Sequence, residues 1–250
     1  MNSENPENYK FQTNLILRKN LYKDIDFSET SEKGIVSIES RFERCKFTNL
    51  RLKSFSFASG MGLSEYNDCI FDNSDLGRTT GGLMRFSRCS FQNTKMTDLQ
   101  ARTADFLDCV FTGKLDQVTF FGKSDIDDPL SPLRQNEVAG NDFSNADIGD
   151  INFLAGVKLE AQKLPRGGDY MVINNAESVL NKARFDALRM NNTDRGLEII
   201  KTIDVFSEVV AGGQADIFVS KRRVPNYLKS TFDDFFDFML PYLSHKFGSA

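Results

Sequence analysis

The sequence predicts a mainly β chain, a square-sectioned (quadrilateral) β-helix followed by a C-terminal α-helical region. Three observations predict it. Four Cys-x-Phe blocks, RFERCKF (41–47), EYNDCIF (65–71), RFSRCSF (85–91) and DFLDCVF (105–111), set the cysteines 24, 20 and 20 residues apart (69−45, 89−69, 109−89). Within each block a large apolar residue recurs every five positions: Phe42, Phe47, Leu52 and Phe57, then Tyr66, Phe71 and Leu76, then Phe86, Phe91, Met96, Ala101, Phe106 and Phe111. The 250 residues hold 23 Phe and 6 Tyr but no Trp, so one aromatic shape is asked for repeatedly. A helix needs a period of about 3.6 and a simple strand a period of 2, and neither produces a five with a twenty above it. Four fives make one square turn.

The elements follow in order. Residues 1–20 are an N-terminal segment whose Met1–Lys10 start is polar, without the apolar core of a signal peptide. The coil is legible from Leu21, where LYKDIDF (21–27) carries Ile25 in the cysteine slot, and it runs to Leu159. Two residues before most large centres stands a small one (Ser40, Cys45, Ser64, Cys69, Ser74, Cys89, Thr94, Cys109), so one large and one small side chain of every five face inward. Cys45, Phe47, Cys69, Phe71, Cys89, Phe91, Cys109 and Phe111 are therefore assigned to the core. A thiol in that slot acts as a small hydrophobe, and neither metal nor redox chemistry is expected of it. Three segments depart from the step and read as insertions: 58–64 (ASGMGLS), 77–83 (GRTTGGL) and 123–137 (KSDIDDPLSPLRQNE). The repeat returns at 138–153 with centres Val138, Phe143, Ile148 and Phe153; Phe106 to Val138 is 32 residues, one coil plus twelve.

Residues 20 apart become neighbours on adjacent coils, about 4.8 Å away, and should carry compatible charges. The slot before the cysteine reads Asp24, Arg44, Asp68, Arg88, Asp108, and a second slot reads Arg41, Glu65, Arg85, Asp105. Both alternate in sign, across the 24-residue step as well, which predicts two surface ion-pair ladders.

The A(D/N)(L/F)xx-like run, clearest in NDFSN-ADIGD (141–150), resembles the pentapeptide-repeat family over roughly Leu21–Leu159. The resemblance implies a right-handed quadrilateral β-helix. The Cys-x-Phe blocks and ADIGDINFLAGVKL (146–159) also resemble the quinolone-resistance subgroup that binds DNA gyrase. That narrower likeness implies a type II topoisomerase partner, DNA mimicry and a homodimer formed through the C-terminal end.

Past Leu159 the five-step stops, and residues 160–250 read as a helical cap or a small helical domain. Helices are expected over Asn175–Met190, from Thr193 as N-cap to about Val210, and after Pro225 with Leu228, Phe232, Phe235, Phe236, Met239 and Leu240 on one face. Phe232, Phe235, Phe236 and Met239 are the candidates for a cap or dimer interface.

Function is bounded mostly by what is missing. The formal charge of −4 and pI near 5.2 single out no partner class, and no stretch approaches the ~18 apolar residues of a membrane-spanning helix. Few cysteines without CxxC spacing fit a reducing compartment, so the chain is expected to be soluble and cytoplasmic, with no membrane partner. His245 is the only histidine, which leaves no convincing Cys–His or Ser–His pair; no enzyme, metal or cofactor is expected. Gly77–Gly82 lacks the lysine of a phosphate loop. Residues 39–123 hold 12 Lys/Arg against 10 Asp/Glu, and 124–159 hold 2 against 7, so only the last coil and its insertion could mimic a phosphate stripe. Direct nucleic-acid binding is not expected. The partner-binding candidates are Arg78, Asp125, Asp127, Asp128, Arg134, Asp142, Asp147 and Asp150. The leading expectation is a non-catalytic protein-binding chain acting through loops and C-terminal helices; the alternatives are a gyrase-binding protein and an enzyme hidden in 160–250.

Overall fold

In a computed structural model, residues 14–124, 134–190, 193–222 and 224–243 are described. Successive coils stack in parallel, as chain that returns to the same face every 20 residues must. One ladder joins Asn14–Arg18, Gly34–Ile38, Ser54–Ser59, Asp75–Thr80, Ser90–Thr97, Val110–Phe121 and Asp142–Leu154. A second joins Leu21–Lys23, Arg41–Glu43, Ser64–Asn67, Met84–Ser87, Ala104–Leu107 and Val138–Ala139. The stack is thus a β-solenoid of about five turns. Among the described residues its pairing is already present at Asn14, opposite Gly34, ahead of the Leu21 at which the five-step becomes legible.

Strand spacing dictates the core. Rings at equivalent positions of adjacent coils lie about 4.8 Å apart and stack face to face. One column is Tyr22, Phe42, Tyr66, Phe86 and Phe106, with centroids 5.1, 4.7, 4.7 and 4.9 Å apart. The other is Phe27, Phe47, Phe71, Phe91, Phe111 and Phe143, at 4.8, 4.9, 4.7, 4.9 and 4.7 Å. Both columns are fully buried from the second coil onward.

Most residues of the small slot, Ala104 apart, also aim a hydrogen-bond donor at a carbonyl of the preceding coil. Ser40 Oγ donates to Leu17 O (3.1 Å), Ser74 Oγ to Phe47 O (2.8 Å) and Thr94 Oγ1 to Phe71 O (3.0 Å). Cys45 Sγ donates to Tyr22 O and Cys89 Sγ to Tyr66 O, both at 3.3 Å. Asn141 closes the cysteine column by donating to Phe106 O at 2.9 Å. All four thiols are buried and unpaired, and burial pushes the Cys89 thiol well above its ordinary range.

The corners fall in the left-handed region. Asp24, Arg44, Asp68, Arg88 and Asp108 have φ of +52 to +55°, and Gly140 (φ +71°) follows them at the next coil. A second corner column, Asn49, Asn73, Asn93 and Gly113, behaves the same way. A left-handed non-glycine residue costs roughly 1–2 kcal/mol, which inter-coil backbone bonds such as Arg44 N to Asn67 O (2.9 Å) offset.

Register places the insertions. Val36 pairs with Ser56 (56−36 = 20), Ile38 with Ser59 (59−38 = 21) and Arg41 with Glu65 (65−41 = 24), so of four extra residues one sits in a bulge between Ser56 and Ser59 and three at the turn between Ser59 and Ser64. The 77–83 reading is corrected. Ser64 pairs with Met84 (84−64 = 20), so nothing is inserted there, and Gly77–Thr80 belong to the Asp75–Thr80 strand. What looked like loop chemistry is a glycine at a left-handed corner (φ +63°), where a Cβ would collide with the Lys53 carbonyl. Phe106 pairs with Val138, which confirms the 32-residue step.

The charge columns resolve into separate pairs, a correction to continuous ladders. Arg44 grips Asp24 through Nε and Nη2 (2.7 and 2.8 Å), and Arg88 grips Asp68 in the same way (2.7 and 2.9 Å). The Nε–Nη2 edge of Arg44 is thereby turned to the preceding coil, and no contact-distance ion pair joins Arg44 to Asp68 on the next. In the second column Arg41 lies 4.0 Å from Glu65 but 3.1 Å from Glu43, and Arg85 bonds Asp105 at 2.9 Å.

The C-terminal region forms α1 (Ala176–Leu188), α2 (Asp194–Ala211) and α3 (Asn226–Met239) around an antiparallel hairpin of Tyr170–Ile173 and Ile217–Ser220. Thr193 caps α2, its Oγ1 accepting Gly196 N–H at 3.1 Å. The hairpin had no signal in the five-step.

Candidate site at the solenoid–helix junction

The helical unit docks on the last coil. Phe218 packs edge-on against Phe153 (6.1 Å) and is stacked on by Tyr170 (5.8 Å), continuing the aromatic core outward. Gln214, 1% exposed, holds the junction: its Oε1 accepts Gly156 and Val157 N–H (3.0 and 3.1 Å) and its Nε2 donates to Val157 O (2.8 Å). Ser220 Oγ donates to Ile148 O at 2.8 Å. A strand edge that would otherwise stand unpaired is covered in this way.

Two of the six acidic candidates are engaged by residues of the C-terminal region. Asp147 pairs with Arg222 at 3.0 Å, and Asp142 with Lys163 at 3.3 Å. Hydrogen bonds from Ser144 and then Lys163 hold the Asp142 carboxyl below its usual range. Asp150 is exposed and has no ionic partner among the described residues. Asp125, Asp127 and Asp128 lie outside the described residues.

Arg134 turns out to be an anchor. It pairs with Asp105, whose side chain is 1% exposed, and Asp105 also accepts Glu137 N–H (2.9 Å) and the Arg85 guanidinium. Asn136 donates to Arg102 O (2.8 Å) and Phe121 O (2.9 Å), leaving its Oδ1 the one buried side-chain polar atom without a partner among the described residues. The exit of the 123–137 insertion is thus clamped onto the coil. Arg78 is exposed and lies 3.7 Å from Asp98.

Of the helical candidates, Phe235, Phe236 and Met239 are buried in a second core with Leu180, Ile199 and Ile203. Core packing leaves them no surface for a second copy, which corrects the dimer-face reading. Phe232 is half-buried, packed against the edge of that core with part of its surface open. With Phe206, Leu228 and Pro225 it forms the apolar wall of a groove of about 520 Å³, and Asp116, Gln117, Asp150 and Asn152 of the last two coils form the polar wall. Two candidates far apart in sequence, Asp150 and Phe232, therefore meet. A second cavity, about 600 Å³, lies within the helical unit between Tyr170, Val172, Val179 and Leu243. On its rim, burial and a hydrogen bond to Asp186 push Tyr242 up to about 12.

Among the described residues no three His, Cys, Asp or Glu side chains are grouped to hold a metal ion, and no helix is long and apolar enough to cross a membrane.

Fold and site define the class: a β-solenoid with a docked helical unit and a junction groove. No family model and no curated protein sequence matches the chain. Among solved structures, the full-length plasmid-mediated fluoroquinolone resistance protein QnrB1 aligns at 12% identity over 60% of this chain and 81% of that one, with a TM-score of 0.23. Two trypsin-treated forms of that protein align at 16% and 14% identity, with TM-scores of 0.16 and 0.17, over 60% and 70% of this chain and 89% and 98% of theirs.

Proposed function

We propose that this chain is a non-catalytic interaction protein that holds a protein target at the C-terminal end of its solenoid. The observation that carries the reading is the junction groove, where the exposed carboxylate of Asp150 faces half-buried Phe232. An exposed apolar wall rimmed by a few polar groups is the kind of surface that holds a protein partner. Its polar side chains are carboxylates, amides and Ser220, whose hydroxyl is engaged with Ile148 O; no nucleophile stands beside a base. Immobilised wild-type chain and a Leu228→Ser/Phe232→Ser variant, exposed to host lysate and then to each purified candidate, test the reading. A target that binds the wild type and is lost in the variant supports it; a target held equally by both rejects the groove as the binding surface.

The narrower proposal, a type II topoisomerase as that target, rests on the Cys-x-Phe blocks and the 146–159 run. Against a DNA-mimic mode stand the paired charges of Asp142 and Asp147, which break up any phosphate-like stripe. Inhibition of supercoiling by purified gyrase, or protection from a fluoroquinolone, at micromolar chain would support a topoisomerase target. The absence of both effects at that concentration would remove it.

A further inference from the structure

We infer that the junction groove takes a basic, apolar-backed segment of the partner, a Lys or Arg against Asp150 with apolar side chains on Leu228 and Phe232; the inference rests on the interaction reading above. The argument is one of charge. Several adjacent-coil neighbours of the solenoid carry opposite signs, as Asp24 with Arg44, Asp68 with Arg88 and Asp75 with Lys95. Where like charges do meet, at Lys95 and Lys114, each has its own acidic partner, Asp75 and Asp116. At the groove Asp116 and Asp150 are like-charged register partners on adjacent coils. Like charges directly opposed across a ladder are destabilising. Lys114 lies 3.1 Å from Asp116, whereas Asp150 meets no cation among the described residues. The wall facing them is apolar and half-buried, and it continues the Phe153–Phe218 contact that joins the two parts of the chain. A cation flanked by apolar groups relieves the carboxylate repulsion and covers that wall at once. An acidic segment would meet the aspartates, and a purely polar one would leave the wall wet.

The experiment uses the full chain and a short fluorescein-labelled amphipathic peptide of lysine and leucine, followed by anisotropy. Matched glutamate–leucine and lysine–serine peptides are the controls. Saturable binding of the lysine–leucine peptide is expected, with both controls at least about tenfold weaker. Asp150→Lys should weaken it about tenfold at roughly 0.05 M salt and much less at roughly 0.5 M, as screening removes the difference. Leu228→Ser should weaken it at both salt concentrations. Equal binding of the glutamate–leucine peptide, or an Asp150→Lys chain that binds as the wild type does, overturns the inference. Host partners captured alike by wild type and Asp150→Lys overturn it while leaving the interaction role standing. Capture of none by the wild type removes that role as well.

Discussion

Replacing Phe71 by alanine tests the stacked-ring core where it is most constrained. The ring is fully buried, stacked on Phe47 at 4.9 Å and on Phe91 at 4.7 Å, and met edge-on by Phe57 and Tyr66 at 5.7 and 5.8 Å. Deleting it removes a full aromatic transfer term and opens a cavity that coils held by inter-coil backbone bonds cannot close, a cost of about 3–5 kcal/mol. Spread over a chain of this size, that lowers the midpoint of thermal unfolding by roughly 10 °C. Phe27→Ala provides the comparison. Phe27 belongs to the same column but sits in the first coil, half-buried, with one stacking partner at 4.8 Å. End coils of a repeat stack can relax or fray, so its cost should stay near 1–2 kcal/mol. Urea unfolding followed by far-ultraviolet circular dichroism reads both. Equal costs, or a Phe71→Ala cost under about 1 kcal/mol, would refute a core in which each ring is locked by its two neighbours.

Other predictions follow from single contacts. Asp105→Asn removes the buried charge shared by Arg85 and Arg134, and should cost about 2–4 kcal/mol and speed proteolysis within 123–137, read by urea unfolding and limited trypsin digestion. Asn73→Gly should be tolerated while Asn73→Val costs about 1–2 kcal/mol in the same unfolding assay, because φ is +58° there. The four thiols should react with a disulfide reagent only as fast as the chain unfolds, and a thiol that reacts at once in the native state would place its column wrongly. Hydrogen bonds from Arg44, Arg88 and Ser144 hold the carboxyls of Asp24, Asp68 and Asp142 below their usual range. A depressed folded-state pKa gives stability that is complete above the unfolded value near 4 and is lost as pH falls through the folded value. The unfolding midpoint should therefore hold steady from pH 8 to about 5 on account of these groups and fall below about 4.

Much of the coil was legible because its constraint repeats. Ring spacing favours a Phe or Tyr every 20 residues, and the small slot takes Ser, Thr or Cys with Ala at 104, so both leave a period in the sequence. Thr193 and Pro225 marked two helix starts for an equally local reason, a cap and a fixed φ. Tertiary features left no such period. Arg44 and Arg88 occupy left-handed corners that residue type does not announce, and Gly77 imitated a loop while serving as a corner of a regular strand. The alternating columns announced Asp24, Asp68 and Asp105 as paired, but not which aspartates are engaged from outside the coil. Asp147 is neutralised by Arg222 and Asp105 is gripped by Arg134, partners from other parts of the chain that fold against them. The junction groove was illegible for the same reason, since Asp150 and Phe232 meet only once Phe218 has docked on Phe153.

Amide hydrogen exchange on the full chain, with and without the protein partner that wild-type chain captures, tests the central claim most directly. Binding at the junction predicts new protection in 149–152 and in 224–232, with the coil faces of 21–100 unchanged. Protection confined to those coil faces, with the junction exchanging as in the free chain, would contradict it.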